Sequence, residues 1–237
     1  MSGLGTLINS GAIVSAGVVG LLAGNILKPR MQDTLNMACG ISVLFIGISG
    51  AMEKILVLND GRLVSTQALM IVICMALGAF AGELLNIEAQ FEKFGEWLKR
   101  RTGNAGDGRF VDGFVTASLT VSIGAMAIVG AIQDGISGDW SILAAKSVLD
   151  FVIILVMTCS LGKGCLFSAI PVLVLEGTMT GCAVLLRPLI TTAVQDNISL
   201  VGSLLIFCIG INLVWDRKIR VSNMLPAIIL AVMAALI

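Results

Sequence analysis

Eight apolar runs separated by short polar joints constrain this chain more than any other feature. They are Ile8–Leu27, Leu35–Leu56, Ala68–Leu85, Phe114–Ile132, Ile142–Cys159, Cys165–Leu186, Leu200–Val214 and Met224–Ile237. Inside lipid no water is at hand to bond backbone N–H and C=O groups, so an apolar run of this kind must close its own hydrogen bonds as a helix. Hydrophobic residues make up 57% of the chain and charged ones 13%, against about 25% charged in a soluble domain. The expected fold class is an all-α polytopic membrane protein with about eight transmembrane helices, a single integral domain over residues 1–237. The last run is short and calls for tilt or cover from its neighbours. The opening MSGLGTLINSG has no charged stretch before the first run, so that run reads as a span and not as a cleaved signal.

What the composition lacks narrows the function. There is no histidine and no tyrosine, which removes the usual proton-relay side chain and commonest metal ligand and leaves any aromatic belt to Trp and Phe. Six cysteines stand singly in apolar runs with no CxxC and read as small packing residues. No triad, HExxH, P-loop or nucleotide fingerprint occurs, so no enzyme, no cofactor and no metal are expected. Zero net charge gives no reason to expect a nucleic-acid partner; the partners expected are the lipid bilayer and a small solute.

Orientation follows from the positive-inside rule. With both termini outside, the inside loops hold 11 of the 15 Lys and Arg residues, including Lys28, Arg30, the Lys99–Arg101 cluster, Lys163 and Arg217–Arg220. The outside loops hold only Lys54, Arg62 and Arg187. Between the third and fourth runs, Phe91, Phe94 and Leu98 fall at helical spacing with Trp97 alongside, which predicts a short helix on the cytoplasmic surface.

A shift of 163 residues lays Met31–Lys54 over Val194–Arg217. Gln32-Asp33 falls on Gln195-Asp196, Ile46-Gly47-Ile48 on Ile209-Gly210-Ile211, and Glu53-Lys54 on Asp216-Arg217. In an eight-span topology these two spans run in opposite directions. The expectation is a three-helix inverted repeat of spans 1–3 and 6–8 (residues about 5–88 and about 165–237) around a central helix pair, about 112–160. Inverted repeats characterise many secondary transporters, with the binding site at the repeat interface.

Charges at membrane depth give the candidate site. Lys146 and Asp150, four residues apart in the fifth run, share one helix face with Ser147. Glu176 sits mid-run in PVLVLEGTMTG. Asn212 and Asn223 bracket the last joint. A charge in hydrocarbon is costly unless paired or hydrated, so such residues are functional candidates by default. In a transport role Asp150 binds a cation or proton, Lys146 counters it or meets an anionic group, and Glu176 tunes the site. A structural Lys146–Asp150 or Lys146–Glu176 ion pair is the plain alternative. The joint QDGISGD, with Asp134, Gly135, Gly138 and Asp139, reads as a hinge or gate, and Asp139 or Ser141 as the cap of the fifth helix. SLGKG, with Gly162 and Gly164, reads as a second helix interruption. Both also fit ordinary tight turns. Gly20-x-x-x-Gly24 with Gly17 makes a small-residue face for close packing within the chain or for a homodimer.

The run IxxGxSGDxSxLxAKSxLDF at Ile132–Phe151, with CSLG at Cys159–Gly162, SAIP at Ser168–Pro171 and NMLPA at Asn223–Ala227, resembles the domain-of-unknown-function 554 family of bacterial membrane proteins over essentially the whole chain. The resemblance implies a multi-pass protein of the bacterial cytoplasmic membrane and carries over no activity. Some relatives have glutamine where this chain has Glu176, which shifts weight toward Lys146 and Asp150. The leading expectation is a secondary transporter or exchanger of a small polar or charged solute, coupled to sodium or a proton. A non-transporting protein that assembles through Gly17, Gly20 and Gly24, or a passive channel, is the alternative.

Overall fold

The computed structural model describes residues 2–26, 28–59, 61–122, 125–186, 191–215 and 219–236. The chain divides into two compact units, Met1–Cys39 with Ala89–Pro188, and Gly40–Glu88 with Leu189–Ile237. Among the described residues, six helical stretches are long and apolar enough to cross a membrane, or seven if one bent pair counts as a span. The apolar Val221–Leu236 stretch falls short of that length. The expected count of eight is thus not reached among the described residues, which give six or seven stretches of spanning length and one shorter apolar helix.

The first unit is built on α1 (Leu4–Ile26) and α7 (Ser141–Leu161). Their approach is close because α1 presents glycines. A Cβ at Gly20 would stand 2.7 Å from the Leu155 carbonyl oxygen, and one at Gly24 3.1 Å from Cys159 Cα. Cys159 Sγ donates to the Gly20 carbonyl at 3.4 Å, and Gly17 lies against Leu166. The small-residue face is thus consumed inside the chain, and assembly through Gly17, Gly20 and Gly24 loses its surface. On α7, Leu143, Lys146, Ser147, Asp150, Ile154 and Met157 are buried, while Val148, Leu149 and Val152 are exposed. Lys146, Ser147 and Asp150 thus lie on the buried side of α7, whose exposed side is aliphatic.

The fourth expected span, Phe114–Ile132, is not one helix. It is α5 (Phe110–Ser122) and α6 (Ala125–Ser137), bent 62° at the break. The expected hinge is displaced accordingly: Asp134 and Gly135 lie within α6, and Gly138 follows it with φ +69°. The sixth run is also divided, into a 3-10 turn at Lys163–Ser168, α8 (Ala169–Gly181) and α9 (Ala183–Leu186). Gly162 ends α7 at φ +85°, a left-handed conformation that glycine adopts without strain. Gly113 meets the Leu161 carbonyl, and the Arg109 guanidinium donates to the Ser160 carbonyl at 3.0 Å. SLGKG is a packed joint. The short helix expected between the third and fourth runs is present as α4 (Ile87–Arg101): Leu98 packs with Phe110 and Phe114, while Phe94 stacks on the exposed Trp97 at 5.6 Å.

The second unit holds the end of α2 (Pro29–Ile55), a hairpin of β1 (Leu56–Asn59) and β2 (Arg62–Ser65), α3 (Ala68–Leu85), α10 (Thr192–Trp215), α11 (Val221–Met224) and α12 (Pro226–Leu236). The hairpin was not expected. α2 and α10 cross antiparallel, with Gly40 against Leu213, Leu44 against Gly210, Gly47 against Phe207 and Gly50 against Ser203. The 163-residue shift carries Gly47 to Gly210 and Leu44 to Phe207, so those two contacts are one contact made twice. It likewise exchanges Gly40–Leu213 with Ser203–Gly50. Lys54 ion-pairs with Asp196 at 3.0 Å; Asp216 and Arg217, which complete the sequence match, lie outside the described residues, as do Arg187 and Lys218. Beside this pair Cys74, Val201, Ala227 and Ala231 form a core.

Candidate functional site

The break between α5 and α6 leaves the last carbonyls of α5 without helical partners, and Lys146 fills one of those needs. Its ammonium donates to the Val121 carbonyl at 2.7 Å and to Asp150 one turn on along α7. A cation at a helix C-terminus also meets the negative end of the helix dipole. Glu176 enters from α8, its Oε1 3.7 Å from the Lys146 ammonium. α1 supplies the fourth member, Asn9, whose Nδ2 donates to Glu176 Oε1 at 2.8 Å.

All four side chains are withdrawn from the surface: Glu176 and Asn9 are 0% exposed, Asp150 5% and Lys146 6%. Neighbouring helices α1, α7 and α8 therefore pool one ammonium, two carboxylates and one amide away from the surface. Two oxygens of the group, Glu176 Oε2 and Asn9 Oδ1, have no hydrogen-bond partner. Buried polar atoms are normally satisfied, so this cluster is incomplete as it stands.

One turn from Glu176 along α8, Thr180 shares a hydrogen bond of 3.3 Å with Thr6 and donates to the Ala131 carbonyl. Nearby the fully buried Asp134 accepts the Gly5 N–H on Oδ2 at 2.9 Å. Asp134 thus holds the first turn of α1 and is an anchor where the sequence reading placed a gate. Gly135 allows the same closeness: a Cβ there would run into the Thr180 carbonyl and Ala183.

The remaining expected site residues fall elsewhere. Ser147 Oγ bonds back to the Ala144 carbonyl at 2.7 Å and offers its proton to its own helix. Asn212 belongs to the other unit, where it exchanges two hydrogen bonds with the Ile219 backbone, at 2.8 and 2.9 Å. It ties the end of α10 to Ile219. Asn223, also in that unit, donates to Glu83 and accepts the Glu88 N–H at 2.7 Å. Asp139 accepts the Ser141 N–H at 3.0 Å and the Gln133 amide at 2.8 Å, which ties it to the first residue of α7; the N-cap itself is Trp140, not the expected Asp139 or Ser141. The backbone N–H of Ser141 is the main reason its carboxyl is held below its usual range. Gly164 is pressed against the Phe110 backbone and has no room to swing.

Sequence reasoning missed Asn9 and the Val121 carbonyl. Asn9 stands 167 residues from its partner Glu176, and an amide near the start of an apolar run gave no signal of that partner. A backbone carbonyl carries no residue-type signal at all.

Comparison with known proteins agrees with this membrane-like helical architecture without naming an activity. The chain is 30% identical over 232 residues to the uncharacterized protein YqgA of Escherichia coli (strain K12), covering 96% of this chain and 94% of that one. It is 24% identical over 226 residues to the uncharacterized membrane protein YdfK of Bacillus subtilis (strain 168), covering 95% and 93%. No solved structure matches. Residues 4–236 match the family described as protein of unknown function (DUF554), and the chain belongs to that family.

Proposed function

We propose that this protein is a secondary transporter or exchanger of a small polar or charged solute in the bacterial cytoplasmic membrane, with both termini outside, coupled to a cation or proton. The observation that carries the reading is the Lys146–Asp150–Glu176–Asn9 cluster, a buried charged group with unpartnered oxygens set against a broken helix. Interrupted helices are tolerated at membrane depth where they line protein or a watery path, and transporters place their binding sites there. A purely structural ion pair would not need a second carboxylate left half-satisfied. The self-equivalent contacts of α2 and α10 support the inverted-repeat part of the reading, because an inverted duplication puts its two copies of one span in antiparallel register.

The test is a thermal-unfolding screen of detergent-purified protein against sodium, protons, amino acids, polyamines and small carboxylates, followed by uptake of any hit into proteoliposomes. A solute that stabilises the wild type and accumulates in the vesicles, with both effects lost in a folded Asp150→Asn variant, supports transport. If no solute shifts the wild type and Asp150→Asn is simply several degrees less stable, the cluster is a structural ion pair and the reading fails.

A further inference from the structure

Lys146 is a cation already installed in the cluster, and its contacts divide the two carboxylates. Its ammonium donates to Val121 and Asp150 and makes a longer ion pair, 3.7 Å, with Glu176 Oε1. Asp150 therefore takes the direct bond and Glu176 the longer one. Glu176 Oε1 has the Asn9 amide and that longer ion pair; among the described residues its Oε2 has no hydrogen-bond partner, although no part of the residue reaches the surface. Asn9 is in the same condition: its Nδ2 donates to Glu176, its side chain also reaches Asp150, and among the described residues its buried Oδ1 has no donor. At full ionisation one lysine against two carboxylates leaves a single negative charge. An uncompensated carboxylate does not persist in so dry a medium.

The other groups around Glu176 do not supply the missing charge. α7 contributes Lys146 and Asp150, and α1 contributes Asn9 and Thr6. α5 presents the Val121 carbonyl, and the buried Asp134 of α6, itself acidic, is turned to the Gly5 N–H. We infer that the coupling species is one monovalent cation, bound at Glu176 Oε2 beside the Asn9 amide oxygen, with Lys146–Asp150 as a fixed pair that holds the demand at a single charge. This names the ligand of the cluster invoked above and rests on the transporter reading. The donors are hard oxygens, suited to a proton or an alkali ion. Among the described residues no group of three or more His, Cys, Asp and Glu gathers as a metal site would require. A divalent ion would leave the cluster one charge positive. The assignment exchanges the roles expected from sequence, where Asp150 binds and Glu176 tunes.

The experiment follows the unfolding midpoint of the full chain in detergent in two arms. Sodium chloride replaces choline chloride at fixed alkaline pH in one; pH falls in choline chloride alone in the other. The variants are Glu176→Gln and the double Lys146→Met, Asp150→Asn, which removes the fixed pair without stranding either charge. The expected result is a wild-type stabilisation in the sodium arm or the proton arm, which identifies the ion. Folded Glu176→Gln loses that shift, and the double variant keeps it. A shift kept by Glu176→Gln and lost by the double variant puts the ion on Asp150; this overturns the inference and leaves the transporter reading standing. No wild-type shift in either arm also overturns it, while solute uptake still tests transport on its own. Should Glu176→Gln not fold, Asn9→Ala carries the test: the cation concentration for half-maximal shift rises, and an unchanged concentration refutes the site.

Discussion

Replacing Gly47 by alanine tests the α2–α10 crossing most directly. A Cβ there would lie 2.6 Å from Phe207 N and 2.8 Å from both Phe207 Cα and the Ser203 carbonyl oxygen. Ordinary contact begins near 3.4 Å, so the methyl is about 0.8 Å too close to atoms that are all backbone. No rotamer change relieves it, and the helices must separate locally by a similar distance. Overpacking of this kind costs about 1–3 kcal/mol, and the rigidity of the obstacle places Gly47→Ala at roughly 2–3 kcal/mol. For a chain of this size that lowers the midpoint by roughly 4–12 °C. Gly210→Ala meets Leu44 Cγ and N at 2.7 Å and carries a similar cost. Because one separation of the helices accommodates both methyls, the double variant falls short of additivity by about 1 kcal/mol. Tryptophan fluorescence during heating in detergent reads all three. A Gly47→Ala midpoint unchanged within error means that the helices do not approach here; strict additivity means that the two glycines do not share a crossing.

Lys146→Met alone strands Asp150 and Glu176 in a dry interior and costs roughly 3–5 kcal/mol; adding Asp150→Asn recovers part of the loss in the same melting assay, and a double variant no more stable than the single one refutes the pairing. Gly20→Leu drives a side chain into the Leu155 carbonyl, so protein yield and midpoint fall while the elution volume of what remains folded is unchanged; a change of oligomeric state without loss of stability contradicts the intramolecular packing. Asp139, outside the spans, has its carboxyl held below 3.8 chiefly by the Ser141 N–H. Its contribution is complete above that pH and lost as pH falls through the lower folded value, so Asp139→Asn removes an acid-side slope from the pH–stability curve below about pH 4. The Arg220–Glu83 pair is more than half exposed on both sides, and Arg220→Ala shifts stability by no more than about 1 kcal/mol, less at high salt.

Several of these features were open to inspection in the sequence and others were not. Lys146 and Asp150 announce themselves because a helix period places them on one face and hydrocarbon makes each expensive alone. Asp60-Gly61 between two apolar strands is a local hairpin signal, overlooked because a ten-residue hairpin is small beside the spans. Gly17, Gly20 and Gly24 show that something comes close, but not that it is α7. The position of the helix break was illegible: Ser122, Ile123 and Gly124 do not compel one, and the ammonium that satisfies the freed Val121 carbonyl lies 25 residues further on.

Sequence alone determines that this chain is a set of apolar helices with a few charges that must find partners, because a bilayer leaves the backbone no other solution and tolerates no bare charge. Tertiary structure decides which partners. Asn9 meets Glu176 across 167 residues, Asp134 holds the start of α1, and Lys146 sits closer to one carboxylate than to the other. Those choices depend on how the helices pack, and helix faces of nearly uniform aliphatic composition do not encode their neighbours one residue at a time.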